Sequence, residues 1–550
     1  GVHVGAAGVA GAPAMRANWL PRVVVALLTL AGWASLRAPA PVFPVDDAYI
    51  HLVYARHLAA GEGLVYNLGE PSIGTSSPLW TLLLVPVLAS DFPVFPLVEA
   101  LNAALLVILA WLVSDLAALL VRTLAPTMAE ERLAWLAAVA AVAFNGNLLW
   151  LAHAGMETIL YLVLGVATIR LFARQGASAT TMLVAGLFVL TRFPGVLLPA
   201  LLLVWDIARG APLGRRLRVA WLAALPYIPL GLHSLAVSGS FFPTTLKGKL
   251  LTHVAGGHDV AAEIAFLAWI WDYLSALVPA TWLVLIPTVG GLLAWGWSQR
   301  ARWRGEAVAI VVVTAGWGVG EVALHTIFFR SWWHHLRYLA PIFPVVAVLA
   351  PLGLLALLQL LIALNRRLTT LLTRRPAGNA RYSGLRVAWS LAVAGVVVAG
   401  GLQQLPRWQT LYRKNVEQIA RVHVAAGDWL ATHSPPNARV ATFDIGAIAF
   451  ESQRHVVDLG GLLDPASHAP LAARDLSSYM LDRGASYWVD LEPVSPTTPD
   501  FSGLRERRGS AFSADPLIRF EVPHYYDPVH PASLALTIYA VRPPARVSVR

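Results

Sequence analysis

The chain has 550 residues, of which 57% are hydrophobic and 13% are charged, and its formal net charge is +10. This apolar share is too high for an ordinary soluble globular protein and indicates a protein that spans a membrane several times. The sequence has no cysteine, which excludes disulfides, thiolate metal sites and a cysteine nucleophile. Most arginines lie in short loops beside apolar runs, so the positive charge reflects membrane topology and argues against a nucleic-acid partner.

Apolar runs long enough to cross a bilayer recur along the first 405 residues. A helix needs about 20 apolar residues to cross ~30 Å of hydrocarbon. Arginine clusters fall on alternate connections, which the positive-inside rule assigns to the cytoplasm. We predict eleven transmembrane helices, at residues 19–36, 97–121, 133–150, 156–173, 179–191, 194–208, 217–238, 277–298, 307–329, 338–364 and 387–405.

Two parts of this assignment depend on short segments. Residues 76–95 contain an apolar run too short to cross between its prolines, so we expect a helix at the outer surface. The first outer loop is then predicted to run from residue 38 to 96. Segments 179–191 and 194–208 are also short, and one broken helix is the alternative there.

Asp46 and Asp47 are neighbours near the start of the first outer loop. They precede a predicted amphipathic helix from about residue 47 to 60, on which Asp47 and His51 share one face. Aspartate is also a good N-cap, and acids in the first turn complement the helix dipole. Helix capping is therefore the alternative to a functional role for this pair.

Further charged side chains lie on predicted outer segments. Glu157 stands at the outer end of the span that begins near residue 156, and Arg192 separates two short spans. The other candidates share a position in later outer loops, and they are Lys247, Lys249, His334, His335 and Arg337. We predict that these residues and the aspartate pair line one cavity, with carboxylates on one side and cations on the other.

This combination of charges suggests a reaction. A carboxylate suits a general base, whereas arginine and lysine at the membrane interface suit a phosphate. Transfer of a sugar from a lipid-linked phosphosugar needs both, because the base deprotonates the acceptor hydroxyl and the cations stabilise the departing phosphate. We therefore assign Asp46 and Asp47 as catalytic and the remaining candidates as substrate-binding. Asp47 and Glu157 are also candidate ligands for Mg²⁺ or Mn²⁺, with no cofactor as the alternative.

The composition changes near residue 406 to mixed polar and apolar segments rich in Pro, Gly, Ser and Asp. Short buried strands that end in Asp-containing turns are predicted in "ARVATFDIGAIAF" and "RHVVDLGGLLD", and further strands in "ASYWVDL", "LIRFEV" and "ALTIYAVR". Helical pattern lies in "NVEQIARVHVAAGDWLATH". We predict that a transmembrane domain, residues 1–405, is followed by a small α/β domain, residues 406–550, on the side of the acidic loop.

Six stretches of the sequence occur in the order seen in the bacterial polyprenyl-phosphate-dependent glycosyltransferases of the GT-C superfamily. They are "DDAYIHLVYARHLAAGEGLVYNLGEPSIGTSSPLWTLLL", "GMETILYLVL", "LTRFPGVLL", "FFPTTLKGKL", "RYLAPIFP" and "VATFDIGAIAFESQRHVVDLGGLLDP". Within that superfamily the chain most resembles the mycobacterial arabinofuranosyltransferases that add terminal β-1,2-arabinose to cell-wall arabinan.

The resemblance implies a GT-C-like fold of about eleven transmembrane helices. It also implies that Asp46 is the catalytic base, with Asp47 as the neighbouring acid, and that the C-terminal domain helps to hold an acceptor glycan. The chain departs from the family at "PSIGTSSPLW" and "TRFPG", in regions expected to contact sugar. Arabinose, mannose and galactose therefore all stay open as the transferred sugar.

The predicted function is transfer of a sugar from a polyprenyl-phosphate donor to a hydroxyl of a cell-envelope glycan or glycolipid. The predicted location is the bacterial cytoplasmic membrane, with the active site and C-terminal domain on the extracytoplasmic side. Alternatives are a protein O-glycosyltransferase of the same superfamily, a transporter and a non-catalytic scaffold. Transport would use intramembrane acids such as Asp115 and Glu321, the latter one turn from His325, but we favour a packing role for these residues.

Overall fold

The computed structural model describes residues 19–37, 40–253, 260–277, 281–300, 305–328, 330, 334–373, 380–493, 503–525 and 532–542. Residues 1–18 of the predicted transmembrane domain thus lie outside the described ranges. Up to residue 433 the described chain is helical apart from one small hairpin, and beyond it helices alternate with the strands of a sheet. The predicted class, a polytopic helical protein followed by an α/β domain, is confirmed.

The first part of the chain contains α1 (Leu20–Ala34), α2 (Asp47–Ala59), the hairpin β1 (Val65–Asn67) and β2 (Glu70–Pro71), and α3 (Pro78–Leu88). The helices that follow are α4 (Val94–Val121), α5 (Met128–Ala143), α6 (Gly146–His153), α7 (Thr158–Gln175), α8 (Ala179–Thr191), α9 (Leu197–Ala208), α10 (Leu213–Ala224), α11 (Ile228–Ser238), α12 (Thr244–His253), α13 (Val260–Leu277), α14 (Thr281–Ser298), α15 (Glu306–Phe328) and α16 (Ile342–Thr373).

Every predicted span overlaps one helix or two, since span 133–150 crosses the break between α5 and α6 and span 217–238 runs from α10 into α11. Six described helices are long and apolar enough to cross a membrane, and α5 with α6, which are bent by 49°, make a seventh if they count as one span. The other predicted spans correspond to the shorter apolar helices α1, α8, α9 and α14. Helices α8 and α9 are separated by a 3₁₀ turn at Phe193–Val196, so the broken-helix alternative stays open and eleven crossings stay a prediction.

Helix α3 is the segment that we expected at the outer surface. Its 11 residues are too few to span ~30 Å of hydrocarbon. Trp80 is buried on one side of α3 and donates a hydrogen bond to the carbonyl of Gly155 at 3.1 Å, whereas Leu82 and Leu83 are exposed on the other side. The first outer loop is thereby packed against the turn that precedes α7.

The long helix α17 (Ala380–Gln418) connects the two parts of the protein. It passes residue 406 without a break and continues through a π-helical turn, Ile419–Val424, into α18 (Ala425–His433). The predicted domain boundary therefore lies within a continuous helical segment, because helical periodicity continues where the composition changes.

The C-terminal domain contains a mixed five-stranded sheet. The strands have the order β4-β3-β5-β7-β6, in which β3 is parallel to β4 and β5, and β7 is antiparallel to β5 and β6. Alternate side chains point to opposite faces, so Trp488 and Val489 belong to different buried clusters. The strands are β3 (Arg439–Thr442), β4 (His455–Asp458), β5 (Tyr487–Pro493), β6 (Ser513–Tyr525) and β7 (Ala532–Arg542), and the helices are α19 (Gly446–Ser452), α20 (His468–Ala472), α21 (Ser477–Asp482) and α22 (Leu504–Arg507).

The first outer loop packs directly against the C-terminal domain. Asn67 in β1 donates to the carbonyl of Val456 and accepts from its N–H, both at 2.9 Å. Thr244 at the start of α12 donates to the carbonyl of Leu462 at 2.6 Å. A shared apolar cluster, made by Ile50, Val53, Tyr54, Tyr66, Ile445, Ala449, Val456 and Leu463, fills the interface.

Candidate functional site

Five separate segments bring charged side chains together beside the start of α2. The segments are the first residue of α2, the residue before α7, the end of α8, the middle of α12 and the turn before α16. We call the group that they form the charged cluster, and its members are Asp47, Glu157, Arg192, Lys249 and Arg337, arranged around Tyr338.

Arg337 lies at the centre of the charged cluster and is 2% exposed. Its Nη2 donates to Oδ2 of Asp47 at 2.6 Å and to Oη of Tyr338 at 2.7 Å. Burial alone would raise the pKa of Asp47, but the charges of Arg337 and Lys249 outweigh it and hold that pKa below its usual value. Asp47 is therefore ionised at neutral pH, and its side chain is 32% exposed.

Glu157 and Arg192 form the second ion pair. Nε of Arg192 lies 3.5 Å from Oε1 of Glu157, and its Nη1 donates to the carbonyl of Arg337 at 3.4 Å. Nε2 of His51 lies 3.6 Å from Oε2 of Glu157, while its Nδ1 is 3.1 Å from the hydroxyl of Thr81. The carboxylate of Glu157 thus faces both a guanidinium and an imidazole.

The ring of Tyr338 is surrounded by the three cations. The guanidinium carbons of Arg192 and Arg337 lie 4.8 and 4.7 Å from the ring centroid, and Nζ of Lys249 lies 5.5 Å from it. Cation–π contacts of this kind stabilise each cation by about 0.5–2 kcal/mol, depending on desolvation. The ring thus holds like charges close to one another.

The backbone that presents Arg337 is strained. His334, His335 and Leu336 have φ angles of 62°, 51° and 57°, in the left-handed region that side chains with a Cβ rarely adopt. Each such residue costs roughly 1–2 kcal/mol. Strain of this kind is retained where the surrounding structure enforces it, and functional sites are a frequent location.

Several polar atoms of the cluster and its neighbour His334 have unused hydrogen-bonding capacity. Nε and Nη1 of Arg337, Nδ1 of His334 and Oε2 of Glu157 are buried and have no hydrogen-bond partner among the residues that the structure describes. A buried polar group without a partner costs about 1–3 kcal/mol. Two nitrogens of one guanidinium, each with an unused N–H donor, suit an oxygen-rich anion such as a phosphate.

The net charge of the cluster is also favourable for an anion. Arg192, Lys249 and Arg337 contribute three positive charges, and Asp47 and Glu157 contribute two negative charges. Burial, followed by the neighbouring Arg337, lowers the pKa of His334 to about 3, so this imidazole is neutral at physiological pH. One positive charge therefore remains, which matches a ligand with one negative charge.

Asp46 faces away from the charged cluster. Its two carboxylate oxygens accept hydrogen bonds from the N–H groups of Gly446 and Ala447, at 2.8 and 2.7 Å. Burial and the nearby Asp444 raise its pKa to about 7, although His423 and the two N–H groups act in the opposite direction. The two predicted catalytic aspartates thus have different surroundings. Asp47 belongs to the charged cluster, and Asp46 contacts the start of α19.

Two further predicted site residues, besides Asp46 and His334, lie outside the charged cluster. Lys247 is exposed on α12, two residues before Lys249. His335 is buried, and its Nδ1 and Nε2 lie 2.9 Å from Oη of Tyr273 and Oδ1 of Asn415. These contacts give His335 a packing role between helices, and its predicted contact with substrate stays a prediction.

The predicted metal ligands, Asp47 and Glu157, each pair with an arginine. Within the described ranges no group of three or more His, Asp or Glu side chains could hold a metal ion. A neighbouring guanidinium competes with a divalent cation for the same carboxylate oxygens. Metal binding at these residues stays a prediction.

The intramembrane acids make contacts within the helix bundle. Glu321 accepts hydrogen bonds from Tyr161 and from Nε1 of Trp317, and its Oε2 lies 3.5 Å from Nδ1 of His325. Asp115 pairs with Nε of Arg170 at 2.5 Å. Both acids thus join neighbouring helices, as expected for a packing role.

Two residues of the site were missed as candidates in the sequence. Tyr338 lies next to Arg337 in an aromatic segment, where tyrosine is commonly an interfacial anchor. His51 was placed on the face of Asp47 by its i, i+4 spacing but received no role. That spacing could have identified His51 as a site residue, since the structure places its imidazole beside the carboxylate of Glu157.

Comparisons with known proteins bear on the fold. A family model described as "Domain of unknown function (DUF8728)" matches residues 409–534, and no curated protein matches the chain. The crystal structure of ArnT from Cupriavidus metallidurans in the apo state matches at a TM-score of 0.52, with 14% identity over 95% of this chain and 98% of that one. The same protein bound to undecaprenyl phosphate matches at 0.50, with 14% identity over 94% and 98%. The chain therefore shares the fold of ArnT, in agreement with the polytopic helical class predicted from its sequence.

Proposed function

We propose that this protein is a glycosyltransferase that moves a sugar from a polyprenyl-phosphate donor to a hydroxyl of a cell-envelope glycan or glycolipid. The proposed location is a bacterial cytoplasmic membrane, with the charged cluster and the C-terminal domain on the extracytoplasmic side. The terminal arabinofuranosyltransferases, which the sequence resembles, make arabinose the first sugar to test, followed by mannose and galactose.

The unused hydrogen-bond donors of the buried Arg337 carry this proposal. A sugar joined to a polyprenyl chain through one phosphate is a phosphodiester with one negative charge. The cluster offers one excess positive charge, and two nitrogens of Arg337 have unused N–H donors, which fit such a group. The solved ArnT complex with undecaprenyl phosphate supports the same choice of lipid, since that fold holds a polyprenyl phosphate.

The charged cluster is suited to the chemistry of this transfer. The acceptor oxygen forms a bond to the anomeric carbon of the sugar while the bond from that carbon to the phosphate oxygen breaks. The electron pair leaves with the phosphate, whose charge becomes more negative. Arg192, Lys249 and Arg337 then interact more strongly with the leaving group than with the donor, and this difference lowers the barrier.

Asp47 is the aspartate of the pair that we assign as general base. One of its oxygens binds Arg337, and its partial exposure leaves room for an acceptor hydroxyl. Donor binding assists it, because a phosphate on Arg337 weakens the positive field that keeps the pKa of Asp47 low. The base therefore becomes stronger when the donor is in place.

Sugar transfer from radiolabelled polyprenyl-phosphate donors in proteoliposomes tests the proposal. We expect transfer from at least one donor by the wild-type protein, and a loss of about 10³-fold or more in Asp47→Asn. Asp91→Asn is the matched control, because Asp91 is an exposed acid in the same loop, and we expect it to keep normal activity. Wild-type activity in Asp47→Asn would remove Asp47 as the base.

The choice of acceptor separates the alternatives. Transfer to a protein side chain, with no transfer to arabinan or glycolipid acceptors, would indicate a protein O-glycosyltransferase. Failure with every donor and acceptor, combined with uptake of solute into the same proteoliposomes, would indicate a transporter. The hydrogen bonds of Glu321 and Asp115 within the helix bundle argue against transport.

A further inference from the structure

Asp46 caps a helix of the C-terminal domain instead of its own helix. Its Oδ2 and Oδ1 accept from the first N–H groups of α19, at Gly446 and Ala447, about 400 residues away in sequence. The first N–H groups of a helix have no partner within the helix, and a carboxylate there also interacts favourably with the helix dipole. This contact therefore joins the start of α2 to the start of α19 by two hydrogen bonds.

Gly446 shows that the two backbones meet closely at this point. A Cβ at residue 446 would lie 2.0 Å from the backbone oxygen of Asp46, which is far inside van der Waals contact. The conflict is with main-chain atoms, so rotation of a side chain cannot relieve it. A glycine is required for this approach of α19 to the first outer loop.

Other hydrogen bonds connect the same two surfaces. Nη1 of Arg56, near the end of α2, donates to the carbonyl of Phe450 in α19 at 3.0 Å. The hydroxyl of Tyr66 donates to the carbonyl of Ile445, immediately before α19. Helices α2 and α19 are thus joined at both ends, with the shared apolar cluster beside them.

We propose that Asp46 is a positioning residue, whose carboxylate fastens α19 of the C-terminal domain to the loop that carries Asp47. The proposal rests on the function assigned above, in which Asp47 is the base. Because residues 46 and 47 are consecutive, any displacement of α19 relative to α2 moves the backbone of Asp47. An acceptor glycan held by the C-terminal domain is thereby kept at a fixed position relative to Asp47, the base.

Besides Tyr49 and Tyr66, the ionisable groups facing Asp46 are Asp444, beside the same helix start, and His423 in the π-helical turn. These two are hydrogen-bonded to each other, with Nε2 of His423 2.8 Å from Oδ2 of Asp444. Replacement of Asp46 therefore leaves that pair intact. The effect of Asp46→Asn can be assigned to the contact with α19.

Hydrogen exchange in the full-length protein tests the contact without any assay of activity. The amide of Asp46→Asn has one acceptor oxygen, and its NH₂ group opposes one of the two N–H donors. We expect the peptide that contains residues 446 and 447 to exchange about tenfold faster or more in Asp46→Asn. Gly446→Ala should have the same effect, because its Cβ displaces α19 from Asp46. Asp47→Asn should leave this exchange unchanged, since its side chain faces Arg337.

Kinetics distinguish positioning from catalysis. With the donor and acceptor identified in the proteoliposome assay, Asp46→Asn should mainly raise the KM for acceptor, whereas Asp47→Asn should reduce kcat by about 10³-fold or more. Binding of undecaprenyl phosphate should be the same in Asp46→Asn and wild type, because the charged cluster does not include Asp46.

Either of two results would overturn the proposal. The first is unchanged exchange at residues 446 and 447 in Asp46→Asn, which would show that the contact does not hold α19. The second is a loss of kcat in Asp46→Asn as large as in Asp47→Asn with the same KM for acceptor, which would make Asp46 the base. Failure of transfer with every donor would remove the proposed glycosyltransferase function, while the exchange measurement would still decide the contact.

Discussion

Arg337 donates a hydrogen bond from Nη2 to Oδ2 of Asp47 over 2.6 Å, although 290 residues separate them in the sequence. The contact joins the start of α2 to the turn that precedes α16. It gives the ionised carboxylate a fixed direction and leaves two other nitrogens of the buried guanidinium without a hydrogen-bond partner in the described part of the chain. One arginine can thus orient the base and bind the donor phosphate.

Arg337→Lys is expected to abolish most activity although it preserves the charge. Lysine has no planar fork, so its ammonium group cannot reproduce the fixed directions in which Arg337 presents N–H groups to Asp47 and to a phosphate. We expect kcat/KM to fall about 100-fold or more and undecaprenyl phosphate to bind more weakly. Arg218→Lys, at an exposed arginine, is the control. Normal lipid affinity in Arg337→Lys would exclude Arg337 from the phosphate site.

Lys247 and Lys249 provide a comparison within one helix. Lys249 lies against Tyr338 in the charged cluster, whereas Lys247 is exposed. Lys249→Gln removes the excess positive charge of the cluster, so we expect undecaprenyl phosphate to bind about tenfold more weakly. Lys247→Gln should change this affinity by less than about twofold. Equal losses in the two variants would show that the phosphate does not bind at the charged cluster.

The helices and the general position of the site follow from simple sequence signals. Long apolar runs predict spans, because a helix in lipid must satisfy its own backbone. The same topology places Asp47, Glu157, Arg192, Lys249 and Arg337 on one face, and the structure brings these five together. The predicted membrane topology thus indicates which residues, although far apart in the sequence, lie on the same side of the membrane.

The direction of individual side chains could not be predicted in the same way. Asp46 and Asp47 are consecutive, and successive residues at a helix start differ by about 100° in direction. His334 and His335 also diverge, since three successive residues in the left-handed region form the turn. Such a turn without glycine is rare, so no propensity predicts it. Contacts of the folded protein decide which neighbour reaches the cluster.

Removal of divalent cations is expected to leave sugar transfer intact. Arg192, Lys249 and Arg337 supply the positive charge that a metal ion would otherwise provide. Treatment of the proteoliposomes with EDTA should reduce transfer by less than about twofold. A large loss that Mg²⁺ or Mn²⁺ restores would instead support the metal site predicted at Asp47 and Glu157.

His335→Ala should reduce stability and leave donor binding unchanged. The substitution removes the hydrogen bonds to Tyr273 and Asn415 and leaves a cavity between Trp150 and Trp408. Together these losses are expected to cost about 2–4 kcal/mol, which a lower thermal unfolding midpoint would report. Weaker binding of undecaprenyl phosphate without a change in stability would instead show that His335 contacts the substrate, as the sequence predicts.

Asp46 is expected to make the folded protein less stable as the pH rises. Burial, with Asp444, raises its pKa from 3.8 to about 7, so the folded protein binds more protons than the unfolded chain between these values. The contribution of Asp46 to stability is therefore complete below about pH 4 and is lost as the pH rises through about 7. We expect the unfolding midpoint of the wild-type protein to be lower at about pH 8 than at about pH 5.5.

Asp46→Asn removes this contribution, because the amide does not titrate, whereas Asp444 and His423 are present in both proteins. The difference in unfolding midpoint between about pH 5.5 and about pH 8 should be smaller in the variant than in wild type. An identical pH dependence in the two proteins would mean that Asp46 keeps an ordinary carboxyl pKa. The N–H groups of Gly446 and Ala447 and the charge of His423 would then offset the effect of burial on that pKa.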